Sequence, residues 1–320
     1  MGTGSGNNKK QVKEYYDTHT HVTAAKAGDV ERIYSSSILP AMDPAQTKLP
    51  REACDSPLCP RSRGVMMIFD DTGSMNRLLT DLVQEQMKRI AVEVPSSVSY
   101  DPQILFGAVN DIRAFCDCPL QIGQFEAGFN EMIQQITSLH IQGGGGGNGS
   151  ESYIIPQYFA AKHTRLESLE KRGEKGILFV IGDDGPTPSF TQFEREKTFG
   201  KNNIQEVRGT LSAEDILEMA EEKFHVYQII VHGGTYYSGM VTEWRHLLKG
   251  HALDISDTSC IPDLVIAVMR MYDGMTKSEA IAQISDPRTR EIVSDAMSYH
   301  EEIAEPEGVP TTAATEIEDF

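Results

Sequence analysis

Asp70, Thr72 and Ser74 stand at alternate positions directly after the apolar run Val65, Met66, Met67, Ile68 and Phe69. One carboxylate and two hydroxyls at this spacing form an all-oxygen set suited to a hard divalent cation. Mg²⁺ prefers octahedral oxygen coordination and keeps several of its waters. A site with few charged ligands therefore leaves coordination positions open, and the ion can take up a carboxylate from outside the chain. The same hydroxyls in an ordinary strand-to-helix turn would merely cap the helix. Two further segments argue against that plainer role. A glycine run at 143–147 is followed by Asn148, Gly149, Ser150 and Glu151, and a second apolar run at 177–181 ends in Gly182, Asp183 and Asp184.

Short apolar runs alternate with helical patterns from residue 64 onward, which is the pattern of a mostly parallel sheet covered on both faces. Strands are expected near 65–70, 104–109, 120–125, 177–182, 225–231 and 252–255. The second and third lie too close for a helical crossover, so 120–125 should pair antiparallel at an edge. After the signature, Leu78, Leu79, Leu82, Val83, Met87, Ile90, Ala91 and Val94 recur at steps of three and four. They define a buried helical stripe and belong to the core. Further helices are expected at about 127–139, 151–170, 212–223, 238–249 and 261–273. In an open sheet of this kind ligands sit beyond the carboxyl ends of the strands, where strand order reverses.

These segments resemble the von Willebrand factor A (vWA) domains. Their metal-ion-dependent adhesion site (MIDAS) carries an Asp-x-Ser/Thr-x-Ser signature, here Asp70, Thr72 and Ser74 in the Asp-x-Thr-Gly-Ser-Met variant. The likeness runs from about residue 64 to 272 and is strongest toward uncharacterised vWA proteins of bacteria and their phages. It implies a three-layer α/β/α Rossmann-like fold, with a mostly parallel six-stranded sheet and one antiparallel edge strand. It also implies a metal set of Asp70, Thr72, Ser74 and Asp183, the last acting through water, completed from the glycine loop. Where relatives use a threonine or an aspartate in that loop, this chain offers Asn148 first and Ser150 second, with Glu151 as an outer group or helix cap. The loss of a negative charge there should weaken the ion's hold. The cofactor expected is Mg²⁺ (or Mn²⁺ or Ca²⁺), and the partner a protein presenting Asp or Glu. Relatives often serve AAA+ ATPases of the MoxR type or multiprotein assemblies.

Composition narrows the field. Lys and Arg total 29 against 47 Asp and Glu, a formal net charge of -18 over 320 residues. Such a surface repels phosphate backbones and makes nucleic-acid binding an improbable main task. No stretch approaches the roughly 20 apolar residues that cross a bilayer. With no hydrophobic signal segment and five cysteines in no disulfide framework, a cytoplasmic protein is expected. Residues 1–62 read as a partly irregular arm, with a short helix at about 24–34, ahead of the vWA domain at 63–275. A helical extension follows at 276–304 and an acidic, disordered tail at 305–320.

Competing chemistries fit less well. Asp71, Thr72, Gly73 and Ser74 spell the Asp-Thr-Gly-Ser of aspartic proteases, yet there is no second Asp-Thr/Ser-Gly and the following residues are helical. A haloacid-dehalogenase-like phosphatase needs Asp-x-Asp where this strand ends Asp-Asp-Thr. Cys54, Cys59, Cys116 and Cys118 lack the tight pairs usual for zinc. The glycine run has no Lys-Ser/Thr of a phosphate loop. No nucleophile and base stand together in the sequence, so a non-enzymatic interaction module is the leading expectation. A metal-dependent hydrolase using the same cation to activate water is the alternative.

Overall fold

The computed structural model describes residues 5–18, 20–27, 29–82, 86–114, 116–144, 150–204, 209–232 and 238–301. Its axis is strand β1, Ser62–Asp70, which is buried at every position. A strand without a solvent side must be apolar on both faces, as residues 65–69 are. Alternation divides them: Val65, Met67 and Phe69 join one apolar cluster, Met66 and Ile68 the other. Helices Met87–Ser97, Phe129–Thr137, Ile261–Met271 and Pro287–Ala296 supply the first cluster. Helices Ile154–His163, Ala213–Glu221 and Ser238–Leu248 supply the second.

Five more strands complete the main sheet: β2 Asp101–Val109, β3 Leu120–Ile122, β4 Gly176–Gly182, β5 Phe224–Val231 and β6 Ala252–Ile255. Their spatial order is β6-β5-β4-β1-β2-β3. All neighbours are parallel except β2 and β3, so the chain is mixed α/β with a mostly parallel six-stranded sheet and one antiparallel edge strand. From β1 the chain winds outward through β2 and β3, then returns to lay β4 on the other flank of β1. Strand order thus reverses between β1 and β4. Phe69 pairs with Ile181 in register, so these two strands end side by side.

The expected strands are present within a few residues, and 120–125 narrows to a three-residue edge. Of the apolar stripe after the signature, Leu78, Leu79, Leu82, Ile90, Ala91 and Val94 are buried. That stretch holds two helices, Asn76–Asp81 and Met87–Ser97; Val83 lies outside the described residues. The helix expected over 151–170 is interrupted, because Thr164–Leu166 pairs as a parallel strand with Arg51–Ala53 of the N-terminal segment. No local pattern announces a partner so distant. Among the described residues no helix is long and apolar enough to cross a membrane. The acidic tail expected at 305–320 lies outside the described residues.

The first 62 residues carry more regular structure than their prolines suggest, with helices Ser5–Thr18, Thr20–Lys26 and Val30–Ile33. Tyr15, Val22, Ile33 and Tyr34 are buried in the same cluster as Val65, Met67 and Phe69. The Tyr34 hydroxyl donates to the Leu79 carbonyl at 2.6 Å, in the helix Asn76–Asp81 that follows the signature. Ile33→Ala should therefore cost roughly 2–5 kcal/mol, and Tyr34→Phe about 1 kcal/mol, in urea unfolding of the full chain. An unchanged midpoint in both variants would show that the segment is only loosely attached.

Candidate functional site

β1 delivers Asp70 to the carboxyl edge of the sheet, and the chain turns at once through a short 3-10 segment, Gly73–Met75. Asp70 is fully buried. Its Oδ1 accepts the Thr72 backbone N–H at 2.7 Å and its Oδ2 accepts the Tyr153 hydroxyl at 2.5 Å. The Thr72 and Ser74 hydroxyls lie 3.3 Å apart, and Ser74 donates to Asp183 Oδ1 at 3.0 Å. Asp70, Thr72, Ser74 and Asp183 therefore form one cluster across the β1–β4 junction. The capping role does not describe these hydroxyls: the residue before helix Asn76–Asp81 is Met75, which has no capping side chain. Ser74 is exposed while Thr72 is buried, so the cluster opens to solvent at Ser74.

The glycine run docks on this turn. Gly143 N–H donates to the Asp71 carbonyl at 3.2 Å, and Gly73 N–H to the Gly144 carbonyl at 3.1 Å. Gly143 and Gly144 hold φ of 63° and 79°, a region that side chains disfavour, which is why glycines serve here. Asn148 lies outside the described residues. Ser150 is half-buried, and among the described residues no hydrogen bond joins it to the other four. Glu151 does not cap the helix that follows, whose preceding residue is Tyr153. Its backbone is instead fastened to the loop beyond Asp183, N–H to the Gly185 carbonyl at 3.2 Å and carbonyl to the Thr187 hydroxyl.

Several contributors carry no motif. Asp71 points away from the cluster into a cage of amides: Asn110, Gln121 and Gln142 all donate to its carboxylate. Burial pushes Asp71 up to about 7, against the Asn110 bond and with help from the charge of Asp70. Asn110 also reaches the Gly143 carbonyl at 3.1 Å, so the cage ties signature turn, β2 and glycine run together. Tyr153 is held by Trp244, ring centroids 5.9 Å apart, and Trp244 donates to the Asp184 carbonyl at 2.9 Å. Gly182 makes room for Tyr153, since a Cβ there would stand 2.5 Å from the Tyr153 Cζ. A glycine closing an apolar strand is a sequence signal that could have pointed to such a close approach.

The electrostatics are one-sided. Asp70, Asp71, Asp111, Glu151, Asp183 and Asp184 are all buried around the carboxyl ends of β1, β2 and β4. Burial first, and then the charges of Asp70, Asp111, Asp184 and Asp183, drive the Glu151 carboxyl far above the ordinary range. Asp70 is raised as well, by burial, despite its bonds from Tyr153 and Thr72. Among the described residues no three His, Cys, Asp or Glu side chains form a ready metal cage. The cluster instead mixes carboxylates with hydroxyls. Its donors are all oxygens, its interior is acidic and its mouth is open at Ser74, and these properties fit a hard divalent cation.

No family model matches the chain, and the search of curated proteins found no match. Among solved structures it is similar to the pilus adhesin SpaC from Lactobacillus rhamnosus GG, in two structures, one an open conformation. Both align at 9% identity and a TM-score of 0.40, covering 77% of this chain and 31% or 32% of the adhesin. The chain thus spans less than two thirds of the adhesin's length, and the likeness bears on neither activity nor partner.

Tyr153→Phe leaves Asp70 Oδ2 buried without its donor and should cost about 1–3 kcal/mol in chemical denaturation. Gly182→Ala should destabilise as much or more, because the intruding methyl meets a ring fixed by Trp244. If Gly182→Ala unfolds at the wild-type denaturant concentration, Tyr153 is not the brace of Asp70.

Proposed function

We propose that this chain is a vWA-type domain, a three-layer α/β/α Rossmann-like fold whose MIDAS binds Mg²⁺ (or Mn²⁺ or Ca²⁺) and, through it, an Asp or Glu of a partner protein. The observation that carries the reading is the 3.0 Å bond from the Ser74 hydroxyl on the β1 turn to Asp183 beyond β4. Two strands distant in sequence bring signature and second carboxylate to one point, at the reversal of strand order where ligands settle.

When bound, Mg²⁺ supplies an electrophile with open coordination positions. The chain's own residues do the positioning. Asp70 fixes the turn through the Thr72 N–H, and Tyr153 fixes Asp70. Thr72 and Ser74 offer hydroxyl lone pairs, Asp183 faces them, and the glycine loop adds Asn148 or Ser150. Solvent exposure of Ser74 leaves the side on which a partner's carboxylate would arrive. In this reading the domain spans 63–275, flanked by the arm at 1–62, the helical extension at 276–304 and the tail at 305–320. It works in the cytoplasm as an adaptor for a MoxR-type AAA+ ATPase or within a multiprotein assembly. The acidic surface directs it toward basic partner faces that carry a protruding acid.

Titration of Mg²⁺ into the full chain should give binding heat that Asp70→Ala abolishes and Ser74→Ala weakens by about tenfold or more. Chelation with EDTA should release partners retained from the native host in Mg²⁺. Equal heats for wild type and Asp70→Ala would remove the basis of the reading. Metal-dependent turnover in a phosphatase and esterase screen, lost with Asp70→Ala, would replace adaptor by hydrolase.

A further inference from the structure

We propose that residues 298–301 form an acid-sensitive latch: the uncharged rings of His251 and His300 hold this segment against the amino end of the sheet, and their protonation releases it. His251 immediately precedes β6, and Tyr227, on which both rings lie, is near the start of β5. The latch is thus at the opposite end of the sheet from Asp70 and Asp183, and it stands whether or not the metal reading does.

His300 is buried, and both of its ring nitrogens are bonded. Nδ1 stands 2.6 Å from the Glu301 carbonyl, which can only accept, so Nδ1 carries the proton and Nε2 the lone pair. The Tyr227 hydroxyl therefore donates to Nε2 at 2.8 Å and accepts from the Tyr272 hydroxyl at 2.8 Å. His251 is fixed in the same way, its Nδ1 donating to the Val226 carbonyl at 3.1 Å. The rings stack: Tyr227 on His251 and on His300, with centroids 4.2 and 5.6 Å apart, His251 on His300 at 5.3 Å, and His225 on Tyr272 at 4.0 Å. The backbone docks as closely. A Cβ on Gly250 would stand 2.5 Å from the Tyr299 carbonyl oxygen, and the Arg245 guanidinium covers the Tyr299 ring at 3.7 Å.

Protonation opposes these contacts. An imidazolium at His300 donates from both nitrogens, which reverses the relay from Tyr272 through Tyr227. It also adds a cation where Arg63 already faces the Tyr272 ring at 5.3 Å and Lys277 already donates to the His300 carbonyl at 2.6 Å. A cavity of about 230 Å³, lined in part by Glu221, Lys249, His251, His300 and Glu301, gives protons a way in. Burial, and then the charges of His300 and His225, lower His251 from its ordinary 6.5 to about 4, against the Val226 bond. A histidine depressed on folding contributes its stability in full above 6.5 and loses it as pH falls toward 4. Glu221 and Glu301 face the same cavity, yet neither is among the charges acting most on His251. Burial shifts Glu221 upward, so acid would tighten whatever it holds, which is the opposite sign.

Hydrogen–deuterium exchange of the full chain at about pH 7.5 and about pH 5, corrected for the intrinsic pH dependence of amide exchange, tests the latch. The His300 N–H, bonded to the Met297 carbonyl at 3.0 Å, is one of the reporters. Protection of 298–301 should fall about tenfold or more in acid, since each proton taken up on opening shifts the balance by up to tenfold per pH unit, while β1 keeps its protection. With His251→Gln and His300→Gln together, protection of 298–301 should no longer depend on pH, whatever its level. Gly250→Ala should raise exchange of 298–301 at pH 7.5 without touching β1. Unchanged protection of the wild-type segment at pH 5 overturns the proposal, as does a loss shared equally by β1, which is general acid unfolding. A wild-type pH response retained in the double variant, or unchanged exchange in Gly250→Ala, overturns it as well.

Discussion

The structure turns on like charges brought together away from water. Placing β1 beside β4 ends two fully buried strands at adjacent points, and each terminates in a pair of aspartates. Burial of like-charged carboxylates close together opposes folding. The surrounding hydrogen bonds soften that opposition without removing it: Thr72 N–H and Tyr153 O–H serve Asp70, three amides serve Asp71, and Gly185 N–H serves Asp184. What these bonds leave over is an acidic interior with one solvent-facing hydroxyl at its mouth.

Everything near this point is arranged to keep the turn from relaxing. Asp71 and Asp70 are neighbours whose side chains diverge, one into the amide cage under the glycine run and the other toward Tyr153 and Thr72. The cage and the tyrosine are thereby joined through adjacent residues: the cage draws on Asn110 after β2, Gln121 of β3 and Gln142, while Tyr153 precedes helix Ile154–His163 and Trp244 lies in helix Ser238–Leu248. Glycine is used where a side chain would break this arrangement. At Gly182 it admits the Tyr153 ring, and at Gly143 and Gly144 it permits the left-handed backbone that brings the run onto the Asp71 carbonyl and the Gly73 N–H.

Much of this was legible beforehand because local and global signals agree. The apolar runs around residues 65, 104, 177, 225 and 252 are strands, since a wholly buried parallel sheet needs continuous apolar sequence. The convergence of Asp70, Thr72, Ser74 and Asp183 was expected from the resemblance, which supplied a strand order that the apolar runs alone do not give. Residues that act through tertiary contact were not readable. Tyr153, Gly182, Gln121 and Gln142 form no periodic pattern and gain their roles only when the sheet closes. The N-terminal helices were hidden by prolines at 40, 44, 50, 57 and 60, all of which lie beyond the helices themselves. Thr164–Leu166 looked helical because its strand partner is remote in the chain.

The pairing of Arg51 with Thr164 has a bearing on biosynthesis. Made from the N-terminus at about 5–20 residues per second, the segment Arg51–Ala53 emerges some seconds before its complement exists. β1 likewise waits for β4, whose first residue is Gly176. An unpaired apolar strand is a template for other chains, so the nascent protein passes through a vulnerable interval. Its length is set by the translation of the intervening polypeptide and not by the speed of any folding step.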